Sequence, residues 1–216
     1  MIYNIKIAQK VAKSLLQINA IILQPRTPFT WASGWKSPIY CDNRKTLSFP
    51  KIRTYIKESL AQIVKDHQKD INIIAGVATA GIPHGSLLAE YINIPFIYAR
   101  ATAKEHGKKN KIEGYFEKGQ SVILVEDLIS SGKSSIDAAN TLKKAGLKVK
   151  GVISIFTYGF ETATENFKNA DLEYLSLCDY NTLLPEAMKQ GYIQKDDLPI
   201  LELWREKPSS WKKIKI

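Results

Sequence analysis

Long apolar runs are missing from this chain. No stretch approaches the ~20 residues needed to cross a bilayer, and residues 1–22 alternate Lys, Gln, Asn and Ser with apolar side chains instead of forming a signal-peptide core. A cytoplasmic protein with no membrane partner is expected. Cysteine is scarce too: Cys41 and Cys178 are the two present, far apart, with no C-x-x-C spacing and no neighbouring histidine. That speaks against a zinc site, a redox pair and a disulfide. No internal repeat or low-complexity block occurs, which excludes solenoids and fibrous folds. Disorder is excluded away from the ends, because 44% of the residues are hydrophobic and 24% charged.

The chain does carry length and positive charge. Its 216 residues suit one domain that buries roughly 70% of the surface its unfolded form exposes. The net charge of +10 would draw phosphate groups of any kind. The lysines are spread out, densest over 104–111 and 207–215, and no zinc-finger, basic-zipper or RNP pattern accompanies them, so nucleic acid is not the expected partner. Small phosphorylated molecules use a basic surface equally well.

Helix and strand signals mostly alternate, as in an α/β fold with a parallel sheet. Residues 4–19 space Ile5, Ala8, Val11, Ala12, Leu15 and Leu16 along one helical face, and a second helix is predicted over 50–66, starting at Pro50. Strands are expected at 71–75, 95–99, 121–125 and 149–156, with helices at about 82–92 and 134–145.

The most informative run is Val122 to Ser135. Four β-branched or leucine residues read as a strand buried on both faces, followed by Glu126 and Asp127, then by Leu128, Ile129, Ser130, Ser131, Gly132, Lys133 and Ser134 leading into a helix. Carboxylates at the carboxyl end of a parallel strand suit vicinal sugar hydroxyls or hydrated magnesium. A hydroxyl-rich turn opening a helix suits phosphate. An N-capped helix with no ligand fits the same residues. The nucleoside-triphosphate loop G-x-x-x-x-G-K-[ST] does not, because Asp127 stands where its first glycine must be.

Three further segments carry candidate chemistry. Residues 76–85 place Gly76, Gly81 and Gly85 after a strand and before a helix, so that the backbone at Thr79, Ala80 and Gly81 can approach an anion, or can simply turn. His84 reads as a packing or helix-start residue. Residues 100–114 are basic and bounded by glycine, either solvated surface or a loop whose Arg100, Lys104 and His106 close over a diphosphate. Residues 29–44 are aromatic and polar without a period. They read as an edge hairpin or packed loop, or as a cap for a planar anionic ring with Lys36 and Arg44 nearby.

The strand, acid pair and hydroxyl–glycine turn resemble the phosphoribosyl diphosphate (PRPP) motif of type I phosphoribosyltransferases. Taken with FTWASGWKSPIYCDNR, GVATAGIPHG, RATAKEHGKKNKIEG, VEDLISSGKS and SIFTYGF in order, nearly the whole chain is similar to the orotate phosphoribosyltransferase family, in its short bacterial form. The resemblance implies a central parallel sheet flanked by helices, with a small hood from residues 1–45 plus a C-terminal segment over a PRPP-binding core of about 50–160. It implies that Arg100, Lys104, His106 and the stretch Glu126 to Ser134 contact PRPP, and that Thr79, Ala80 and Gly81 form a diphosphate loop. Ser130, with Tyr40 and Arg44, would meet orotate. Catalysis would fall to Lys104, His106, Glu126 and Asp127. Magnesium would bridge the diphosphate without a direct protein ligand, and Lys104 and His106 would serve the neighbouring subunit of a homodimer. The better-known branch of the family has lysine at the positions of Ala32, Ala80 and Ala101, and arginine at that of Thr157, so Arg44 and Lys36 are expected to supply part of that charge. A purine or uracil phosphoribosyltransferase would share the PRPP motif but lack the FTWASGWKSPIY cap. A PRPP-responsive regulator would need a DNA-binding segment for which the first 25 residues are too short.

Overall fold

Apolar periodicity and capping set the first element. In a computed structural model, which describes residues 1–31, 34–67, 70–100 and 111–211, α1 (Ile5–Gln17) starts at Asn4, whose side-chain oxygen accepts from the amides of Lys6 and Ile7. This satisfies two of the donors that a helix start leaves open. Its stripe of Ala8, Val11, Ala12, Leu15 and Leu16 is buried. The second stretch at helical spacing forms α2 (Pro50–His67).

Between them lie four short strands and a 3-10 turn: β1 (Ile21–Leu23), β2 (Phe29–Thr30), β3 (Lys36–Ser37), β4 (Ile39–Cys41), then Asn43–Ser48. β1 pairs antiparallel with β4, and β2 with β3. Beyond α2 the chain alternates β5 (Ile73–Val77), α3 (Gly81–Ile92), β6 (Phe96–Ala99), β7 (Ile112–Glu113), β8 (Ser121–Ile129), α4 (Lys133–Lys144), β9 (Lys148–Thr157), α5 (Glu161–Asn169), β10 (Tyr174–Asp179), α6 (Tyr180–Lys189) and α7 (Leu198–Glu206). These strands form one sheet in the order β10-β9-β8-β5-β6-β7, in which β7 alone runs antiparallel. One apolar cluster packs α1, α2, α3, α6 and α7 on one face, and a second packs α4 and α5 on the other. Burial of both faces explains the unbroken apolar runs of β5 and β8.

Two of the boundaries that differ from the sequence expectation bear on the site. The strand at 121–125 continues to Ile129 because β9 stays in register with it as far as Thr157. The acid pair therefore lies inside a strand, not after it. β5 sits two residues later than expected and contains Gly76. The last strand, β10, is sealed on its outer edge by the N-terminus, where the Ser176 amide donates to the Met1 carbonyl at 3.0 Å and Ile2 bridges Ser176 in parallel. Covering an edge in this way blunts strand-to-strand association. Among the described residues, no helix is long and apolar enough to cross a membrane.

Candidate active site

The acid pair and the turn after it are held by neighbours on three sides. Glu126 is buried, and its Oε2 accepts from the hydroxyls of Ser134 at 3.2 Å and Ser135 at 3.3 Å in the first turn of α4. Burial, then the charge of Asp127, pushes Glu126 up to about 8. Asp127 is also raised, mainly by burial, while a hydrogen bond from Glu126 and the charge of Arg44 act against the rise. A pair in which both acids are raised suits hydroxyl donors or a cation that relieves its repulsion.

The turn geometry depends on Gly132. Its φ is +77°, and a Cβ there would stand 2.5 Å from the Phe167 ring, so the glycine supplies both the left-handed conformation and the room. Asn166 in α5 donates to the Ser131 carbonyl at 2.9 Å and pins the turn. No side chain caps the start of α4 at Gly132, so the first amides of that helix point toward the turn and suit an anion. Lys133 is paired with Asp137 at 2.7 Å on the surface.

The glycines of 76–85 do different work from that expected of an anion cradle alone. A Cβ on Gly76 would lie 2.8 Å from Ile82, and one on Gly85 would lie 2.8 Å from Phe96. These two let α3 settle onto β5 and β6. A Cβ on Gly81 would run into the Val125 carbonyl oxygen, so Gly81 brings the turn at Thr79 and Ala80 against the last turn of sheet before the acids. The Ala78–Thr79 peptide is cis. His84 is buried, with its Nε2 unpartnered among the described residues, and burial lowers it to about 4. It is a neutral packing residue at physiological pH.

Arg100 follows β6. Its amide donates to Lys111 at 2.8 Å, and its guanidinium lies 3.6 Å from Glu113. Lys104, His106 and Ala101 lie outside the described residues, as does Ala32.

Aromatic side chains build a separate cleft of about 480 Å³ beside the turn, lined by Phe29, Thr30, Trp31, Tyr40, Cys41, Leu128, Ser130 and Tyr158. Trp31 is fixed by donation from its indole to the Ile39 carbonyl at 3.2 Å, and its ring lies 5.5 Å from Tyr158 and 5.7 Å from Trp204 of α7. Tyr40 is paired with Phe29 at 5.7 Å. The cleft is flat-walled, apolar on its faces and polar at Ser130 and Thr30, which suits a planar ring. Lys36 donates to the Thr30 hydroxyl at 2.6 Å, which places a cation at the rim. Arg44 does not line the cleft. Its Nε is 2.6 Å from Asp42, and the side chain is largely exposed. Thr157 turns its hydroxyl to the backbone, donating to Ile129 at 3.3 Å and accepting from Gly159 at 3.1 Å.

The structure thus brings the acids, the turn and the glycine loop to one end of the sheet, with the aromatic cleft at Ser130. Sequence reasoning missed four contributors. Ser135 and Asn166 hold the acid and the turn, and Asn43 donates to the Asp127 carbonyl at 2.6 Å. Tyr158 gives the cleft a wall; the SIFTYGF segment that contains it was legible as a motif, but not its role.

A family model, the phosphoribosyl transferase domain, matches residues 46–179. The chain is 50% identical over 202 residues to the orotate phosphoribosyltransferase of Bacillus subtilis, covering 94% of this chain and 94% of that one. It is 49% identical over 200 residues to that of Phocaeicola vulgatus, covering 93% and 94%. Among solved structures, orotate phosphoribosyltransferase from Aeropyrum pernix superposes with a TM-score of 0.73 at 26% identity, over 85% of this chain and 99% of that one. Similarity at this level across nearly the full length of both chains goes beyond a shared fold, and it agrees with the acid pair, the turn and the cleft: the chain belongs to the orotate phosphoribosyltransferase family.

Proposed function

We propose that the protein transfers the phosphoribosyl group of PRPP to a ring nitrogen of orotate, giving orotidine 5′-monophosphate and diphosphate for pyrimidine nucleotide synthesis. The observation that carries the reading is the pair of buried Glu126 and half-buried Asp127, both raised mainly by burial near the end of β8, where Glu126 accepts from the first turn of α4 and the next residue, Leu128, lines the aromatic cleft. The 5′-phosphate fits the turn from Ser130 to Ser134, because amides and hydroxyls converge there. The ribose hydroxyls donate to Asp127 and Glu126. Orotate lies between Trp31, Tyr40 and Tyr158 with a polar edge at Ser130.

The nitrogen forms its bond to C1 as the bond from C1 to diphosphate breaks, and the sugar gains oxocarbenium character. The two carboxylates favour that developing positive charge, and no covalent nucleophile is needed. Arg100, Lys104 and His106 hold the departing diphosphate, whose other contacts are the backbone at Thr79, Ala80 and Gly81. The oxygen donors of Asp127 and Glu126 suit magnesium, which prefers hard oxygen ligands; they would face it through the ribose hydroxyls. Bound magnesium would neutralise charge on the diphosphate.

The carboxylate of orotate is met by Arg44, exchanging its Asp42 partner for the ligand, with Lys36 at the rim as a second cation. Two copies of the chain share their sites through the 100–114 segment, and the enzyme works in the cytoplasm. Diphosphate release tests the reading: protein, PRPP and magnesium should release diphosphate in step with added orotate. Absence of release in the presence of orotate overturns it.

A further inference from the structure

In a strand, the N–H and C=O of one residue point to the same side. β5 pairs with β8 only as far as Gly76 opposite Val125; Val77, its last residue, pairs with β6 alone before the turn that leads to α3. Beyond Val125 no strand among the described residues pairs with β8 on that side, and Asp127 is the next residue facing it. A buried carbonyl or amide without a partner costs free energy comparable to a lost hydrogen bond.

Both groups of Asp127 are met by side chains. Its amide donates to Glu126 Oε1 at 3.1 Å, and its carbonyl accepts from Asn43 Nδ2 at 2.6 Å, across 84 positions of sequence. Asn43 is wholly buried in the 3-10 turn. Its side-chain amide is oriented from the other end, where Oδ1 accepts from the Cys41 thiol at 3.5 Å, and its main chain is held by the Thr46 hydroxyl, which donates to the Asn43 backbone carbonyl at 2.6 Å. Cys41 in turn lines the aromatic cleft.

We propose that Asn43 is a positioning residue: it takes the place of the missing strand at Asp127, fixes the backbone and hence the carboxylate of that acid, and links its position through Cys41 to the wall of the base cleft. The inference rests on the reading of Asp127 as the acid that holds the ribose. A carboxylate aimed at two hydroxyls tolerates little drift, since a misplacement of ~1 Å at a reacting group can cost ~100-fold.

Two substitutions separate positioning from packing. Asn43→Leu fills the volume but leaves the Asp127 carbonyl dry and unpaired, whereas Asn43→Ala opens space for a water that can donate in place of Nδ2. Positioning predicts that Asn43→Leu lowers kcat/KM for PRPP by ~30-fold or more, that Asn43→Ala loses clearly less, and that the KM for orotate moves less than the PRPP term in both. A packing role predicts the reverse order, with alanine the worse, and would overturn the inference. The same kinetics on an Asp127→Asn background complete the test. If Asn43 acts through Asp127, adding Asn43→Ala to Asp127→Asn costs little more than Asp127→Asn alone. An equal further loss means that Asn43 acts elsewhere. Near-normal turnover of Asp127→Asn by itself overturns the ribose reading and this inference with it, while an impaired Asp127→Asn beside unimpaired Asn43 variants overturns this inference alone. Should Asn43→Leu not fold, the alanine variant and the double variant still decide.

Discussion

Glu126→Gln removes a titration while keeping size: its one oxygen can still accept from the Asp127 amide, and its NH2 faces the Ser134 and Ser135 hydroxyls, which can accept. In the folded chain Glu126 is pushed up to about 8 from 4.5, by burial first and by the charge of Asp127 second. A carboxyl raised in this way binds its proton more tightly when folded than when unfolded. Its contribution to stability is therefore complete below the unfolded value, near pH 4.5, and is lost as the pH climbs through 8. Fully realised, that difference would be ~5 kcal/mol at 1.36 kcal/mol per tenfold change in proton affinity. Between pH 5 and pH 8 that leaves a loss of up to ~3 kcal/mol, or up to ~12 °C in Tm for a chain of this size. The assay is a thermal melt across pH 5–8 of the ligand-free protein and of Glu126→Gln, repeated with PRPP and magnesium. Wild type should lose stability relative to the variant as the pH rises, and the gap should shrink when PRPP is bound, because sugar hydroxyls and a cation favour the ionised pair. Calorimetry of PRPP binding at pH 7 in two buffers of different ionisation enthalpy should show proton release that the variant lacks. Parallel melting curves for both proteins, with no difference in proton release, would refute the reasoning.

Gly132→Ala forces a Cβ to within 2.5 Å of Phe167 at a φ of +77°, so it should raise the PRPP KM and cost ~2–3 kcal/mol, measured by melting; Gly119→Ala, at a φ of +89° with nothing within 4 Å of its Cβ, should cost less and leave the KM alone. Mixing Lys104→Ala with Asp127→Asn protein should restore activity in hybrid dimers, since one site would then be intact; no recovery after verified subunit exchange counts against shared sites. Arg44→Ala should raise the orotate KM about tenfold, the scale of one charge-assisted pair at ~1.5–3 kcal/mol, with the PRPP KM unchanged. A larger effect from Lys36→Ala would give the carboxylate to Lys36, and a joint rise of both constants would move Arg44 to the phosphate side.

Local signals carried much of the fold. Asn4 and the stripe from Ala8 to Leu16 announce α1, and the apolar runs announce β5, β8 and β9, because these elements meet their partners on both faces whatever the details. What stayed hidden depends on distant pairing. β1 to β4 are two or three residues long, too short for a period, and exist through matches such as Ile21 with Cys41. β10 relies on β9 on one side and on Met1 and Ile2 on the other. The extension of β8 through the acid pair follows from the length of β9, and nothing at Glu126 or Asp127 signals it. At the site, the acids and the turn are legible because their residue types are adjacent in sequence. Asn43 is not, since its partner lies 84 positions away, and the separation of packing glycines from loop glycines in 76–85 requires knowing where Ile82, Phe96 and Val125 sit.

The central claim is that one end of the sheet reads PRPP while the aromatic cleft reads orotate. Steady-state kcat/KM for orotate, uracil, adenine and hypoxanthine, each with saturating PRPP and magnesium and with the nucleotide product identified, tests it most directly. The account predicts orotidine 5′-monophosphate, with orotate preferred over uracil by ~10-fold or more, the scale of one charge-assisted pair, and with no purine nucleotide formed. Equal use of uracil, or preferential use of a purine, would contradict it.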